Sequence, residues 1–284
     1  MQISTSRIRL DWRIQLPVVL LAVALAGLTP AAQAGGADPR REVLDQMLDM
    51  NVRDGFVYYR ALKAERARLD GYVASLANAQ LGSASPQEQA AFWINGYNAI
   101  VLQTVVEHYP IAQRSREYPP GSIRQIPGAF ERQPHRLAGR TLTLDQIEQT
   151  VLPSFHDPRL FFALGRGAVG SGRLRSEAYT PEKLEQQLAE NAAECASRSH
   201  CVQVDTAQDV MRVSSIFSWR RDQFIAAYAD KARTGFASRS PVERAVLAFI
   251  DPKMLTAEQD LLKRNSFRME YLPFDWSLND LTGR

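Results

Sequence analysis

The 284-residue chain carries 34 Lys and Arg against 31 Asp and Glu, a formal net charge of +3. Hydrophobic residues make up 45% of it, which is enough for a substantial core and argues against disorder. So small a net charge does not supply the clustered basic face that nucleic-acid binding requires, so we predict no nucleic-acid partner.

The first 34 residues are predicted to form a cleavable signal peptide. Three Arg and one Asp give residues 1–15 a positive charge, and the uncharged apolar residues 16–28 follow. A helix that crosses a membrane takes about 20 apolar residues, so this stretch is too short. Ala32 and Ala34 supply the small-x-small pattern of a cleavage site, and we expect cleavage after Ala34. The alternative is an uncleaved anchor of the same orientation.

Cleavage would remove a net charge of +2 and leave about 250 residues with a net charge of about +1. We predict a single domain over residues 35–284, located in the periplasm or secreted. No later segment is long and apolar enough to span a membrane, so no stable membrane insertion is expected after cleavage.

Helix starts recur along this domain as a Ser or Thr cap followed three residues later by Glu or Gln. Such boxes begin at Ser85, Thr143, Ser240 and Thr256. Further helices are predicted at about residues 39–50, 61–77 and 181–194. Short apolar runs predict strands at residues 135–139, 159–164, 201–205, 210–214 and 267–272. The predicted fold class is α+β, a mostly helical single domain with a small β-sheet and a long loop over residues 114–132.

The helix predicted within residues 90–110 is apolar on nearly every side and is expected to be buried. Asn95 and Asn98 share one of its faces, and burying their amides costs free energy unless each finds partners. In a structural interpretation, the amides bond loop backbone and hold the 114–132 connection in place. In a functional interpretation, they line a cleft and orient a substrate or a catalytic side chain.

Cys195 and Cys201 are the only cysteines of the chain. In an oxidising compartment, two thiols this close favour one disulfide that closes a small loop. A metal site that includes the adjacent His200 is the alternative, but the chain has no second cluster of ligands nearby. The CxxC spacing of a redox pair is absent. We predict the disulfide, with no metal and no cofactor.

Two aromatic segments near the end of the chain are assigned structural roles. Residues 216–224 are expected to form a helix that packs Trp219 and Phe224 inward, with Asp222 pairing an Arg. Residues 271–280 are expected to close the core and to cap neighbouring backbone groups.

Seven segments of the chain carry recognisable motifs. They are AAFWINGYNAIVLQTVVEHYP (90–110), GSIRQI (121–126), LAGRTLTLDQIE (137–148), DPRLFFAL (157–164), LRSEAYTPEKLEQQL (174–188), IFSWRRDQF (216–224) and YLPFDWSLND (271–280). Together and in this order they closely resemble the domain of unknown function 547 family. The resemblance covers roughly residues 45–280 and does not by itself name an activity.

One departure from the family pattern bears on function. The resemblance implies a His shortly after the DPR motif and two Cys in the segment that follows. In this chain the His position is Phe161, and the Cys positions are Arg166 and Ser171. If that His and those thiols carry the family's chemistry, by thiolate attack or by metal ligation, this protein has lost it.

Ser171, which lies between two glycines, is the nominal replacement nucleophile. A serine hydroxyl is weakly nucleophilic and needs an adjacent base, for which we retain His135 as the candidate. His108 is assigned to the end of a helix and His156 to a surface loop. The structural interpretation of Ser171 is a Gly-rich turn in which the hydroxyl bonds local backbone.

Four further residues are predicted to contact a ligand, namely Arg159, Arg166, Arg175 and Tyr179. Arg166 and Arg175 lie in or near the Gly-rich segment 165–172, whose backbone N–H groups could receive an anion. The segment matches no phosphate-loop pattern, so this signal is weak.

Two functions compete at this point. The first is an exported hydrolase or acyl transferase that acts on peptide or amide bonds, with Ser171 at the thiol position and Asn95 or Asn98 in an orienting role. The second is a non-catalytic envelope protein that keeps the family fold to bind an unidentified envelope ligand or protein. The missing His and Cys favour the second.

Overall fold

The computed structural model describes Gln2 and residues 38–283, so the predicted signal-peptide core and its cleavage site lie outside the described residues. The helices are α1 (Pro39–Asn51), α2 (Tyr59–Ala64), α3 (Arg66–Ser75), α4 (Pro86–His108), α5 (Leu144–Gln146), α6 (Leu184–Ser197), α7 (Ser215–Trp219), α8 (Arg221–Tyr228), α9 (Pro241–Ile250) and α10 (Thr256–Arg264). The strands are β1 (Val52–Arg53), β2 (Phe56–Val57), β3 (His135–Leu137), β4 (Arg140–Leu142), β5 (Val202–Asp205), β6 (Val210–Ser214) and β7 (Arg268–Leu272).

The strands form three small sheets, and the predicted mostly helical α+β class is confirmed. β1 pairs with β2, and β3 with β4, as antiparallel hairpins. β5, β6 and β7 form the third sheet, in which β5 and β6 are antiparallel while β6 and β7 are parallel. None of the described helices combines the length and the apolar character needed to cross a membrane.

Helix α4 is buried along most of its length, as predicted. Its start follows from local chemistry, because Pro86 occupies the first helical position and the Ser85 side chain accepts a hydrogen bond from the Glu88 N–H (3.1 Å). Its end follows from Pro110, since helical backbone is disfavoured at the residue before a proline.

Two predicted capping boxes are confirmed, at Thr143–Gln146 and Ser240–Glu243, where each side chain bonds the backbone N–H of the other residue. The box predicted from Thr256 is displaced by one residue. Leu255 precedes α10, and the Glu258 carboxylate accepts its N–H (3.1 Å). A leucine has no capping oxygen, so α10 begins with only half of the reciprocal pair.

The prediction of a strand at residues 159–164 is wrong, because Pro158–Phe162 form a buried 3₁₀ turn. Asp157 caps this turn by accepting the Arg159 N–H (3.0 Å), and Pro158 occupies the first position. A short apolar run fits a buried strand or a buried helical turn, and periodicity does not separate the two. The Asp-Pro start is the local signal for the turn.

Two predicted helices have different bounds in the structure. The helix predicted at residues 61–77 is divided into α2 and α3, which meet at Glu65. The helix predicted at 181–194 begins three residues later, at Leu184, after a turn in which the Thr180 hydroxyl accepts the Lys183 N–H (3.3 Å).

An aromatic cluster connects the 3₁₀ turn to the C-terminal helices. Phe162, Phe217, Phe224 and Phe249 are fully buried, with ring centroids 4.8–6.0 Å apart. Buried aromatic pairs contribute about 0.5–1.5 kcal/mol each beyond the area that they bury. The cluster therefore fixes the turn that carries Phe161 against α7, α8 and α9.

The predicted disulfide between Cys195 and Cys201 is present and joins the end of α6 to the start of β5. Both residues are buried. The loop that the disulfide closes carries Arg198 and His200, whose side chains line a cavity described below.

Replacing both cysteines by serine is expected to lower the free energy of unfolding by about 2 kcal/mol, because the disulfide restricts a short loop of the unfolded chain. Urea unfolding of both proteins, with and without reductant, measures the change. The difference between the two proteins should shrink once the wild type is reduced. Two free thiols in the denatured, unreduced wild type would contradict the prediction.

Candidate functional site

The two asparagines of α4 are buried, and each side-chain amide donates one hydrogen bond to backbone and accepts another from it. The Asn95 amide donates to the Tyr179 carbonyl (2.8 Å) and accepts the Tyr179 N–H (2.9 Å). The Asn98 amide donates to the Ala163 carbonyl (3.0 Å) and accepts the Gly165 N–H (2.8 Å). The pair therefore fixes the segments that flank the Gly-rich stretch.

The 114–132 connection is not held by these asparagines, contrary to the structural interpretation given above. Gln125 holds it instead. The side-chain oxygen of Gln125 accepts hydrogen bonds from the backbone N–H groups of Arg114 (2.7 Å) and Ser115 (2.8 Å). Its side-chain NH2 donates to the backbone carbonyls of Ser115 and Tyr118 (both 2.9 Å). The glutamine satisfies the backbone of a loop that has little regular structure of its own.

A buried ion cluster is the most unusual feature of the core. Glu148, in the π-helical turn Ile147–Val151 that continues α5, accepts hydrogen bonds from Arg166 Nη2 (2.6 Å) and Arg220 Nη2 (2.6 Å) at Oε1. Its Oε2 accepts Arg166 Nε (3.2 Å) and the hydroxyl of Tyr97 (3.0 Å). All four residues are buried, and single π-helical turns are frequent at functional sites.

Charge pairing in this cluster outweighs the cost of burial. Burial by itself raises the pKa of Glu148, but the charges and hydrogen bonds of Arg166 and Arg220 lower it to about 2. Burial likewise favours loss of the Arg166 proton, and the Glu148 charge outweighs it, so the pKa of Arg166 is raised. The cluster therefore remains ionised near neutral pH.

The three residues that differ from the family pattern, Phe161, Arg166 and Ser171, lie close together in the structure. The Arg166 guanidinium lies within 3.3 Å of the Phe161 carbonyl oxygen, and the Arg166 N–H donates to Ser171 Oγ (3.0 Å). The Phe161 ring lies under the Arg220 guanidinium, 4.6 Å from its carbon. These three positions and the ion cluster form one continuous site.

Ser171 is buried at a turn and lines a cavity together with a histidine other than the predicted one. The ring of His200 interacts with the backbone of Ser171, and both residues line a cavity of about 160 Å³. Burial and the charge of Arg198 lower the pKa of His200, which favours the neutral imidazole. Among the described residues, no imidazole nitrogen is hydrogen-bonded to Ser171 Oγ.

The basic side chains at this cavity are paired with acids. Arg198 lies 2.5 Å from Asp54, and Arg173 lies 2.5 Å from Glu194. The cavity wall therefore has little net charge. The weak anion-binding signal of the Gly-rich segment gains no support from these ion pairs.

The predicted base His135 lies in β3, opposite Leu142, and is not among the residues that line the Ser171 cavity. Its Nε2 is buried without a hydrogen-bond partner, and burial lowers its pKa. His108 Nδ1 lies 2.8 Å from the Thr104 carbonyl of its own helix. His156 is exposed, in left-handed backbone at the end of a 3₁₀ turn.

The remaining predicted ligand contacts are engaged within the protein. Arg159 pairs with Asp157 (2.7 Å) and Glu185 (2.6 Å). Arg175 pairs with Glu177 (2.6 Å) and Glu190 (2.7 Å) in the same way. The buried hydroxyl of Tyr179 accepts a hydrogen bond from the Asn191 amide, which ties it to α6.

Residues 81–194 match a family model described as "Protein of unknown function, DUF547". No curated protein and no solved structure matches the chain. The matched range contains both asparagines of α4 and the positions Phe161, Arg166 and Ser171. Within residues 38–283, no three His, Cys, Asp or Glu side chains are grouped so that they could hold a metal ion.

Proposed function

Since the chain belongs, through residues 81–194, to the DUF547 family, we propose that it is an exported, non-catalytic binding module of the cell envelope. The environment of Arg166 carries the proposal. Arg166 stands where the family resemblance implies a thiol, and its guanidinium is buried against the Glu148 carboxylate. A guanidinium stays protonated at physiological pH and has no lone pair to offer, so it cannot replace a thiolate nucleophile or metal ligand.

The other two positions support the same conclusion. Phe161 stands where the resemblance implies a His, and a phenyl ring neither transfers protons nor ligates a metal. Ser171 Oγ accepts the backbone N–H of Arg166. Activation of a serine hydroxyl requires a base that accepts its proton, and the described residues supply no such contact.

Export is supported by two independent observations. The sequence of residues 1–34 has the charge, apolar length and small residues of a signal peptide. The Cys195–Cys201 disulfide fits an oxidising compartment, because cytosolic thiols are kept reduced. Subcellular fractionation, with N-terminal sequencing of the recovered protein, tests export directly, and a chain that begins at Gly35 is expected.

A serine hydrolase or acyl transferase is the second candidate, and one observation favours it. His200 lines the same cavity as Ser171, which makes it the histidine nearest in place to serve this serine among the imidazoles considered above. In this alternative, His200 and not His135 would act as the base.

A fluorophosphonate probe, which labels activated serine hydroxyls, distinguishes the two candidates. We expect no labelling of the wild type and none of Ser171→Ala or His200→Ala, because Ser171 Oγ has no base within hydrogen-bond distance. Ser171→Ala should lower the free energy of unfolding by about 1 kcal/mol, since a buried N–H loses its acceptor.

A known serine hydrolase in the same reaction confirms that the probe is active. Labelling of the wild type that disappears in both Ser171→Ala and His200→Ala would overturn the non-catalytic proposal in favour of a Ser171–His200 enzyme. Thermal unfolding of the two variants verifies that loss of labelling is not loss of fold.

A further inference from the structure

Four aromatic side chains meet at the surface and form what we call the aromatic platform: Trp219, Phe274, Trp276 and Tyr118. Trp219 is 43% exposed, which contradicts the inward packing expected from sequence. Its ring centroid lies 4.8 Å from that of Phe274 and 6.3 Å from that of Trp276, and Tyr118 lies 6.2 Å beyond Trp276. Trp219 is exposed and the other three rings are half-buried. Adjoining aromatic rings that remain accessible to solvent commonly mark a binding site.

The platform covers the buried ion cluster. The Arg166 guanidinium carbon lies 6.0 Å from the centroid of the Trp219 ring, on the inner side of the platform. Trp219 thus links the positions that replace the family's His and Cys to the protein surface. The inference that follows rests on the proposed binding function and goes beyond it by naming a surface and a ligand class.

The aromatic rings of Tyr118 and Trp276 already lie against a cation of the protein itself, the guanidinium of Arg124. The guanidinium carbon of Arg124 lies 5.2 Å from the Tyr118 ring centroid, 5.3 Å from that of Trp276 and 5.5 Å from that of the buried Phe130. Arg124 is also paired with Glu131 (2.5 Å). A cage whose rings already surround a guanidinium leaves no room for a cationic ligand.

Ionic groups around the platform balance one another. Arg124 faces Glu131, while Arg166 and Arg220 face Glu148 and, at longer range, Asp145. The three cations therefore stand against three carboxylates, those of Glu131, Asp145 and Glu148. A balanced surface of this kind attracts neither a polyanion nor a polycation.

Asp145 provides a hydrogen-bonding group that is not used within the protein. Its backbone N–H donates to the carbonyl of Phe130 (3.0 Å), whose ring lies 5.8 Å from that of Trp276, so Asp145 lies beside the platform. Its half-buried carboxylate has no hydrogen-bond or salt-bridge partner among the described residues. Burial and the charges of Glu131 and Glu148 raise the pKa of Asp145, and a ligand hydroxyl that donates to this carboxylate would stabilise its charged form.

From this combination we infer that the aromatic platform binds a neutral oligosaccharide. Pyranose rings present apolar C–H faces that stack on aromatic rings, and their hydroxyl edges donate to carboxylates such as Asp145 and accept from guanidinium groups such as Arg124. A proline-rich peptide would also stack on the rings, but its backbone offers almost only acceptors and would leave Asp145 without a donor.

Calorimetric titration of the purified protein with chitotetraose, cellotetraose and maltotetraose at millimolar concentration tests the inference. At least one should bind. Trp219→Ala should weaken that affinity about tenfold or more, equivalent to at least about 1.4 kcal/mol, because aromatic contacts of this kind dominate binding. Asp145→Ala should weaken it about threefold to tenfold through a lost hydrogen bond.

Tyr58→Ala is the matched control, because Tyr58 is similarly exposed (38%) and takes no part in the platform. The Tyr58→Ala protein should bind the oligosaccharide with the affinity of the wild type. Absence of binding to all three sugars, unchanged affinity in both platform variants, or binding of a proline-rich peptide in their place would each overturn the inference. Fluorophosphonate labelling of Ser171 would instead refute the non-catalytic proposal, so the two can fail separately.

Discussion

Glu148→Gln is expected to lower the free energy of unfolding by about 3–5 kcal/mol, because it leaves the buried guanidinium groups of Arg166 and Arg220 without a carboxylate. The change preserves the shape of the side chain but replaces one acceptor oxygen by an NH2 donor, so the loss reports the removed charge together with one removed acceptor. Urea unfolding at pH 7 measures it. The double variant Glu148→Gln, Arg166→Met should lose less free energy of unfolding than the two single variants lose together, because Arg166→Met removes one of the unpaired charges.

Glu185→Gln is the matched control for this change. Glu185 pairs with Arg159 at a similar distance (2.6 Å), but its side chain is 80% exposed. A pair in contact with solvent contributes about 0–1 kcal/mol, so the control should be close to the wild type. Equal losses in Glu148→Gln and Glu185→Gln would show that the buried cluster does not hold the site together.

The pH dependence of stability follows from the same group. The pKa of Glu148 falls from an ordinary value of 4.5 to about 2 on folding, so its contribution is fully present above pH 4.5. As the pH falls from about 4.5 to 2, the unfolded state takes up the proton first, and the contribution is lost. The wild type should therefore lose more stability over this interval than Glu148→Gln, measured by urea unfolding at each pH.

Local chemistry explains most of what the sequence predicts correctly. Capping at Thr143 and Ser240, the burial of α4 and the Cys195–Cys201 disulfide depend on residues a few positions apart. The same local reasoning wrongly predicts a strand at residues 159–164, where the structure has the Pro158–Phe162 turn. An apolar run of six residues does not show whether neighbouring strands exist to pair with it.

The candidate site depends on contacts that no local pattern encodes. Glu148 and Arg220 are 72 residues apart in sequence, and charged residues on helices are normally exposed. His200 is interpreted from sequence only as a possible metal ligand beside Cys201, yet the disulfide loop carries it to Ser171. The family pattern identifies Arg166 and Ser171 as special positions without indicating that they contact each other.

Gly172→Ala is expected to destabilise the protein by about 3 kcal/mol or more and to disrupt the turn that carries Ser171. A Cβ at this position would lie 1.8 Å from the carbonyl oxygen of Phe162, a backbone atom held by the buried aromatic cluster. Neither side can yield by rotating a side chain, so the backbone must shift. This close approach is a structural reason for the second glycine of the GSG sequence, independent of any reactivity of Ser171.

Gly71→Ala supplies the control for this last change. Gly71 is exposed on α3, and a Cβ there meets nothing within 4 Å, so alanine should raise the free energy of unfolding by up to about 1 kcal/mol through its helix propensity. Opposite signs for the two Gly→Ala variants in urea unfolding are the expected result. A Gly172→Ala protein as stable as the wild type would mean that the turn can move, and would contradict the close packing of Gly172 against the Phe162 carbonyl.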